Sequence, residues 1–290
     1  MRAFEDINPI VILMYYLMVI LIVMFAENPV IFLITLAGAL TFYLSRNGVK
    51  NGRKHLYSLI MFCVIALINP LVSHNGVTVL FVMNDNPVTL EAIVYGACAS
   101  TMIISVLYWC YSFSQIMTSD KLLYIFGAFS PKLALMISMA LRYVPLFNTQ
   151  SKKVNQAQKA MGLYKEDNIV DSFKGGVRVF SIMVTWALEN GIITADSMAY
   201  RGYGSGRRTH FSKFGFKMWD VMFMLVSIVL CAVTVFGIRN AEFVFYPAII
   251  LPKVSFEIVM GYVAYGLLIF LPAIIQVKEA LKWKYLKSKI

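Results

Sequence analysis

An arginine followed by glycine, with two more arginines close behind, stands in the stretch ADSMAYRGYGSGRRT from Ala195 to Thr209. The chemistry open to Arg201, Arg207 and Arg208 is anion recognition. A guanidinium is planar and permanently charged, and its forked donors pair with a carboxylate or phosphate in a way lysine does less well. None of these side chains can stand alone in hydrocarbon, where an arginine costs at least about 2.5 kcal/mol. A basic, glycine-punctuated helix end is therefore expected to dock on something outside the lipid. A plainer reading of Arg201 is a cation at a helix C-terminus, favoured by the macrodipole by under about 1 kcal/mol. For Arg207 and Arg208 the plainer reading is contact with lipid phosphate. Gly202, Gly204 and Gly206 resemble a phosphate-cradling loop only in spacing, because no lysine-serine pair follows and no strand precedes.

Other candidates for chemistry are sparse. His55, His74 and His210 are far apart, form no HExxH pattern and suggest no pairing with a serine or cysteine. Cys63, Cys98, Cys110 and Cys231 lie in apolar runs without metal-ligand spacing, and are expected to be small buried hydrophobes. Asn84-Asp85-Asn86-Pro87 reads as a turn. Glu91 and Glu257 fall near helix ends, where a functional and an interfacial role are equally compatible with the sequence.

The elements that must position these residues are membrane helices. Hydrophobic residues make up 59% of the 290 and charged residues 14%, with a mean hydropathy of +0.71. A soluble domain sits nearer about half and about a quarter, so the bilayer is the main solvent. Six spans are expected, at about 8–25, 29–44, 56–72, 90–115, 219–238 and 257–276. The first carries no charge between Ile7 and Phe25 and is too long for a secretory signal. Arg46, Lys50, Arg53 and Lys54 fill one loop, whereas loop 73–89 has neither lysine nor arginine. The tail after Gln276 adds five lysines, and the region 148–217 has eleven basic residues against five acidic. The positive-inside rule places both termini and the central region in the cytoplasm. The organisation expected is therefore all-α and polytopic, N-in and C-in: transmembrane helices over 1–118, a cytoplasmic or inner-leaflet module over 119–215, then helices and a basic tail over 216–290.

The central module differs from an ordinary helix pair. Ser130-Pro131 reads as an N-cap with proline at the first helical position. Leu133, Met136, Ile137, Ala140, Leu141 and Val144 share one face, and past Pro145, where a kink is expected, the pattern thins. This element ends at Gly162, a good C-cap residue. A second begins after Asp167-Asn168. In it Val170, Phe173, Val177, Phe180, Val184 and Ala187 form a narrow seam suited to packing on another helix. It ends at Arg201-Gly202, so Ala160-Met161-Gly162 and Tyr200-Arg201-Gly202 finish the two helices alike.

With these residues placed, the chain resembles the transmembrane T component of energy-coupling factor transporters, the EcfT or CbiQ-like family. SMALRYVPLFNTQSKKVNQAQKAMG, from Ser138 to Gly162, is similar to the family's Arg-x-x-Pro helix and its Ala-Gln-x-Ala-Arg-Gly end. ALENGIITADSMAYRGYGSGRRT, from Ala187 to Thr209, is similar to the helix with an Ala-x-x-Met-x-x-Arg-Gly-Tyr end. The resemblance implies two coupling helices whose ends enter grooves on a cytoplasmic ABC ATPase dimer. Ala160, Met161, Gly162, Tyr200, Arg201 and Gly202 would make that contact, supported by Arg142, Pro145, Gln158, Met198, Arg207 and Arg208. Met161 stands where the family has arginine, and Tyr200 where a small residue is usual. The resemblance further implies a small membrane substrate-binding subunit as second partner, and uptake of a vitamin or metal ion across a bacterial or archaeal cell membrane. No cofactor, resident metal, catalytic residue or nucleic-acid partner is implied; ATP would be hydrolysed by the partner.

Two rival readings remain at this level. One is a membrane enzyme acting on lipid or prenyl substrates, which would need Glu91, Glu257 or the histidines to converge. The other is a stand-alone scaffold or channel whose basic helix ends bind anionic lipid.

Overall fold

Asn8 and Asn28 begin the first two long helices in the same way, and each also ties its helix to the far end of the chain. In the computed structural model, which describes residues 3–48, 52–73, 76–83, 86–163, 169–206, 214–239, 241, 243–247, 249–250, 252–253 and 255–287, a 3-10 turn, Ala3–Asp6, precedes α1 (Pro9–Phe25) and α2 (Pro29–Asn47). Proline holds the first helical position in both, and each asparagine Oδ1 accepts the amide two residues on at 3.0 Å. The freed Nδ2 of Asn8 donates to the Phe214 carbonyl at 3.0 Å. That of Asn28 donates to Tyr262 Oη at 2.7 Å and to the Ala241 carbonyl at 3.3 Å. Asn28→Ala would orphan these groups in a buried site and is expected to cost roughly 2 kcal/mol; a lower midpoint of thermal unfolding in detergent is the check.

The chain continues through α3 (Gly52–Val72), a hairpin of β1 (Val79–Met83) and β2 (Asn86–Thr89), α4 (Leu90–Ile116), α5 (Ser119–Phe129), α6 (Pro131–Ala160), α7 (Ile169–Tyr200), α8 (Met218–Ile238) and α9 (Phe256–Lys287). It divides into two compact units, Met1–Lys121 with Phe214–Ile290, and Leu122–Lys213. Helices account for 83% of the structure, which makes this an all-α polytopic membrane protein. Arg207, Arg208, His74, His210, Asp167-Asn168 and Asn84-Asp85 lie outside the described residues.

The first unit is organised around aromatic rings. Trp109 of α4 is fully buried and stacks on Phe42 of α2, with centroids 6.0 Å apart and planes at 13°. Phe4, Tyr15, Tyr16 and Phe223 meet around it edge to face. Some polar groups inside find partners: Tyr15 donates to the Leu268 carbonyl at 3.0 Å, and Thr35 shares a 2.6 Å hydrogen bond with Tyr265, whereas Tyr16 Oη and Trp109 Nε1 are buried without one. Glu5 forms an ion pair with Arg46, and Lys121 Nζ donates to the Glu5 carbonyl at 2.6 Å. Burial depresses the Lys121 ammonium pKa and Arg46 adds to this, against Glu5 and Asp6, which raise it. The folded chain thus releases this proton below the ordinary lysine value, where the unfolded chain still holds it. This site's contribution to stability therefore rises with pH across that window.

The structure bears out the expected all-α, polytopic organisation and differs from the sequence expectations in detail. Five of the six expected spans are among the six described helices long and apolar enough to cross a membrane. The sixth of those is α7 from Asp171 to Tyr200, the least apolar with a mean hydropathy of 1.2; α1, only 17 residues, falls below that length. The separate helix α5 has no counterpart in the sequence reading, and α9 carries the basic tail on as helix to Lys287. None of the cysteines is buried in protein: Cys63 and Cys110 are exposed on α3 and α4, and Cys98 and Cys231 are half-exposed. On membrane helices an apolar residue is as well satisfied facing lipid as facing protein, so apolarity alone does not assign the side.

Candidate functional site

Two helix ends share one backbone arrangement. The Gly162 amide donates to the Lys159 carbonyl at 3.0 Å and the Leu163 amide to Gln158 at 3.2 Å. At the other helix, the Gly202 amide donates to Ala199 at 2.9 Å and the Tyr203 amide to Met198 at 3.0 Å. Both are Schellman caps, which satisfy the last carbonyls of a helix by turning the chain through a left-handed residue. Gly162 and Gly202 adopt φ of +67° and +73°, where a side chain is strained. Gly162→Ala and Gly202→Ala are each expected to weaken the last turn by about 1 kcal/mol. Amide hydrogen exchange should then quicken at that turn, with the thermal unfolding midpoint of the membrane helices unchanged.

Superposing the caps by position puts Met161 and Arg201 in the same place, the last half-helical residue before the glycine. Ala160 corresponds to Tyr200, and Gln158 to Met198. Met161 is 65% and Tyr200 91% exposed, and Ala160, Gly162, Arg201 and Gly202 are exposed as well. Gln158 is different: it is 1% exposed, and neither its Oε1 nor its Nε2 has a hydrogen-bond partner. Met198 is half-buried, and Arg142 and Pro145 are exposed along α6, which continues through Pro145 to Ala160. Ser130 occupies the N-cap of α6 but makes no side-chain hydrogen bond there.

Pairing of α6 with α7 uses a face of α7 that the apolar pattern does not show. Tyr143 Oη lies 2.9 Å from Thr194 Oγ1 and 3.4 Å from the Asn190 carbonyl, and Phe147 meets Trp186 edge-on at 5.5 Å. Gly175 and Met183 are buried, with Val179, Trp186, Asn190 and Thr194 half-buried, at helical spacing along that same face. The expected seam points elsewhere. Phe173, Val177, Phe180 and Val184 are 73, 53, 69 and 42% exposed, and Ala187 is intermediate. Val170 is described only in its backbone. The seam is apolar as expected, but among the described residues its side chains are exposed and not packed against α6. Small and polar residues let two long helices approach and bond, leaving the bulkier stripe free. An open cavity of about 640 Å³ lies between them, lined by Phe147, Asn155, Ser172, Val179, Phe180 and Met183.

Among the described residues, His55, Glu91 and Glu257, which a membrane enzyme would need, are not brought together. His55 Nδ1 lies 2.8 Å from Tyr108 Oη, which also meets Ser58 Oγ at 2.7 Å. Glu91 lies on the same helix as Tyr108, roughly 26 Å away at the usual rise. Glu257 sits exposed in the first turn of α9. Among the described residues no three His, Cys, Asp or Glu side chains could hold a metal ion.

Comparison with known proteins gives two matches. The family of CbiQ cobalt transport proteins matches residues 2–211. The energy-coupling factor transporter transmembrane protein EcfT 1 of Listeria monocytogenes is 33% identical over 102 residues, 34% of this chain. That match spans 38% of the relative's own length.

Proposed function

The chain belongs to the CbiQ family, and from that premise we propose that it is the transmembrane coupling subunit of an energy-coupling factor importer. The observation that carries this is the pair of equivalent helix ends, displaying Met161 and Arg201 beyond helices of 30 and 32 residues. Each end would enter a groove on one subunit of a cytoplasmic ABC ATPase dimer. Arg201 would form a forked contact with an acidic group there, helped by Tyr200 and by Arg207 and Arg208. Met161 would make only an apolar contact, so the two ATPase sites would be held unequally. Module 119–215 acts as the transmission. Closure of the ATPases on ATP draws the two ends together, and the free stripe through Phe173, Val177, Phe180 and Val184 moves against a small substrate-binding membrane subunit. That subunit would carry the vitamin or metal ion, and this chain would hydrolyse nothing. The membrane is then a bacterial or archaeal cell membrane, with both termini inside by the distribution of basic residues.

The test is purification of the tagged chain from native membranes in mild detergent, with bound proteins identified by mass. ATPase subunits are expected in the eluate. Their absence, with the chain itself intact and folded, would overturn the reading and return Arg201 to the role of a helix cap.

A further inference from the structure

The hairpin joining α3 to α4 carries four consecutive exposed apolar side chains. Val79, Leu80, Phe81 and Val82 are 52 to 63% exposed, and Val77 before them is 68% exposed. Successive side chains of a strand point to opposite faces, so this ribbon is apolar on both faces at once. In water such a strand, exposed and with a free edge, is an aggregation site. The only charge between Val77 and Thr89 is Asp85, between the two strands.

Its base is built firmly. The Thr78 amide donates to both carboxylate oxygens of Glu91, at 3.2 and 3.3 Å, and the Leu90 amide donates to the Thr78 carbonyl at 3.0 Å. Glu91 is 3% exposed. Gly76, at φ +141°, passes so close that a Cβ there would lie 2.6 Å from Glu91 Oε2 and 2.7 Å from Thr89 Oγ1. Strand β1 pairs antiparallel with β2 from Val79↔Thr89 to Met83↔Asn86. Glu91 thus serves as the staple of a preformed hairpin.

We propose that this hairpin is a membrane-interface anchor, embedded in the lipid surface at the end of the bundle opposite Arg53 and Lys54. Helix α3 spans 21 residues, roughly 31 Å at the usual rise, which is about one hydrocarbon thickness. Its two ends therefore meet the two faces of the bilayer, and the hairpin starts at the far one. Leu59, Val64, Leu67 and Leu71 leave the outside of α3 apolar and exposed, continuous with the ribbon, so lipid already covers the surface that leads into it. Depth follows from the backbone. A two-stranded ribbon has unpaired amides and carbonyls on both edges, which hydrocarbon does not tolerate. The ribbon consequently lies at the headgroup and upper acyl level, where side chains reach lipid and the edges reach water.

The test uses the full chain alone in phosphatidylcholine vesicles, comparing Phe81→Trp and Val82→Trp with wild type. The emission each variant adds is expected to be blue-shifted, quenched strongly by lipid brominated near the carbonyl end, and shielded from aqueous iodide. Because the two positions face opposite ways, equal quenching of both marks immersion of the whole ribbon. Quenching by iodide and not by bromolipid would place the hairpin in water and overturn the proposal. Shielding of one position from both quenchers would overturn it too, pointing to a protein neighbour on that face. Neither result bears on the ATPase contact, which lies at other residues.

Discussion

Arg201→Glu is expected to remove the ATPase subunits from the purified complex and to abolish ATP-driven uptake. Arg201 is exposed in the isolated chain, so the change costs the fold little. Its cost falls on the complex, where a carboxylate would enter a groove shaped for a cation. Losing one partner of a desolvated charge pair costs about 3 to 5 kcal/mol, a weakening of roughly 100-fold or more. Reversal adds repulsion to that loss. Arg201→Lys keeps the charge but loses the fork and should retain partial binding. Met161→Ala removes an apolar side chain that is 65% exposed, so a milder loss of about 1 kcal/mol is expected. Met161 has φ −80° and ψ −1°, which any residue accepts, and Met161→Arg should therefore fold normally and tighten the weaker end. Co-purification and uptake measured side by side check all four variants. Wild-type uptake by Arg201→Glu would sink the coupling role of this residue.

The second large effect is expected at the crossing of α8 and α9. A Cβ on Gly237 would lie 2.7 Å from both the Glu257 carbonyl oxygen and the Gly261 Cα. These are backbone atoms, which cannot swing aside, so Gly237→Val must force the two helices apart. Small residues at such crossings allow the close approach on which membrane helices depend. Overpacking of this kind costs about 3 kcal/mol, a fall of roughly 6 to 12 °C in the unfolding midpoint. Gly266 on α9 is the control, because nothing lies within 4 Å of a Cβ there. Gly266→Ala should be neutral or stabilising by about 1 kcal/mol. An unchanged midpoint for Gly237→Val, measured in detergent, would refute the tight crossing.

How much of this was legible beforehand depended on whether a feature leaves a local mark. Proline after Ser130 at the start of α6, glycine after Met161 and Arg201, and charge-free runs of membrane length all express backbone requirements, and all can be read directly. The facing of α7 could not. Phe173, Val177, Phe180 and Val184 form the more apolar stripe, yet Gly175, Asn190 and Thr194 lie on the face that meets α6. Apolar periodicity locates a surface that avoids water, and in a membrane chain lipid, a partner or a sister helix all satisfy it. Glu91 was ambiguous for a similar reason: only its burial against Thr78 and Gly76 separates a hairpin staple from a reactive carboxylate. Gln158 is marked by its place in the helix-end motif, but its burial with unpaired amide atoms has no sequence signature.

The first eight residues hold both points at which the chain leaves and rejoins the first unit. Lys121, where the chain leaves the membrane unit, is bonded to Glu5, and Phe214, where it returns, is bonded to Asn8. The central unit is thus a cassette spliced into a frame, with its exit and re-entry pinned to neighbouring points of one short N-terminal segment. Trimming or tagging that segment would loosen both pins together. On the proposed coupling role, such a change would impair transport without altering α6 or α7.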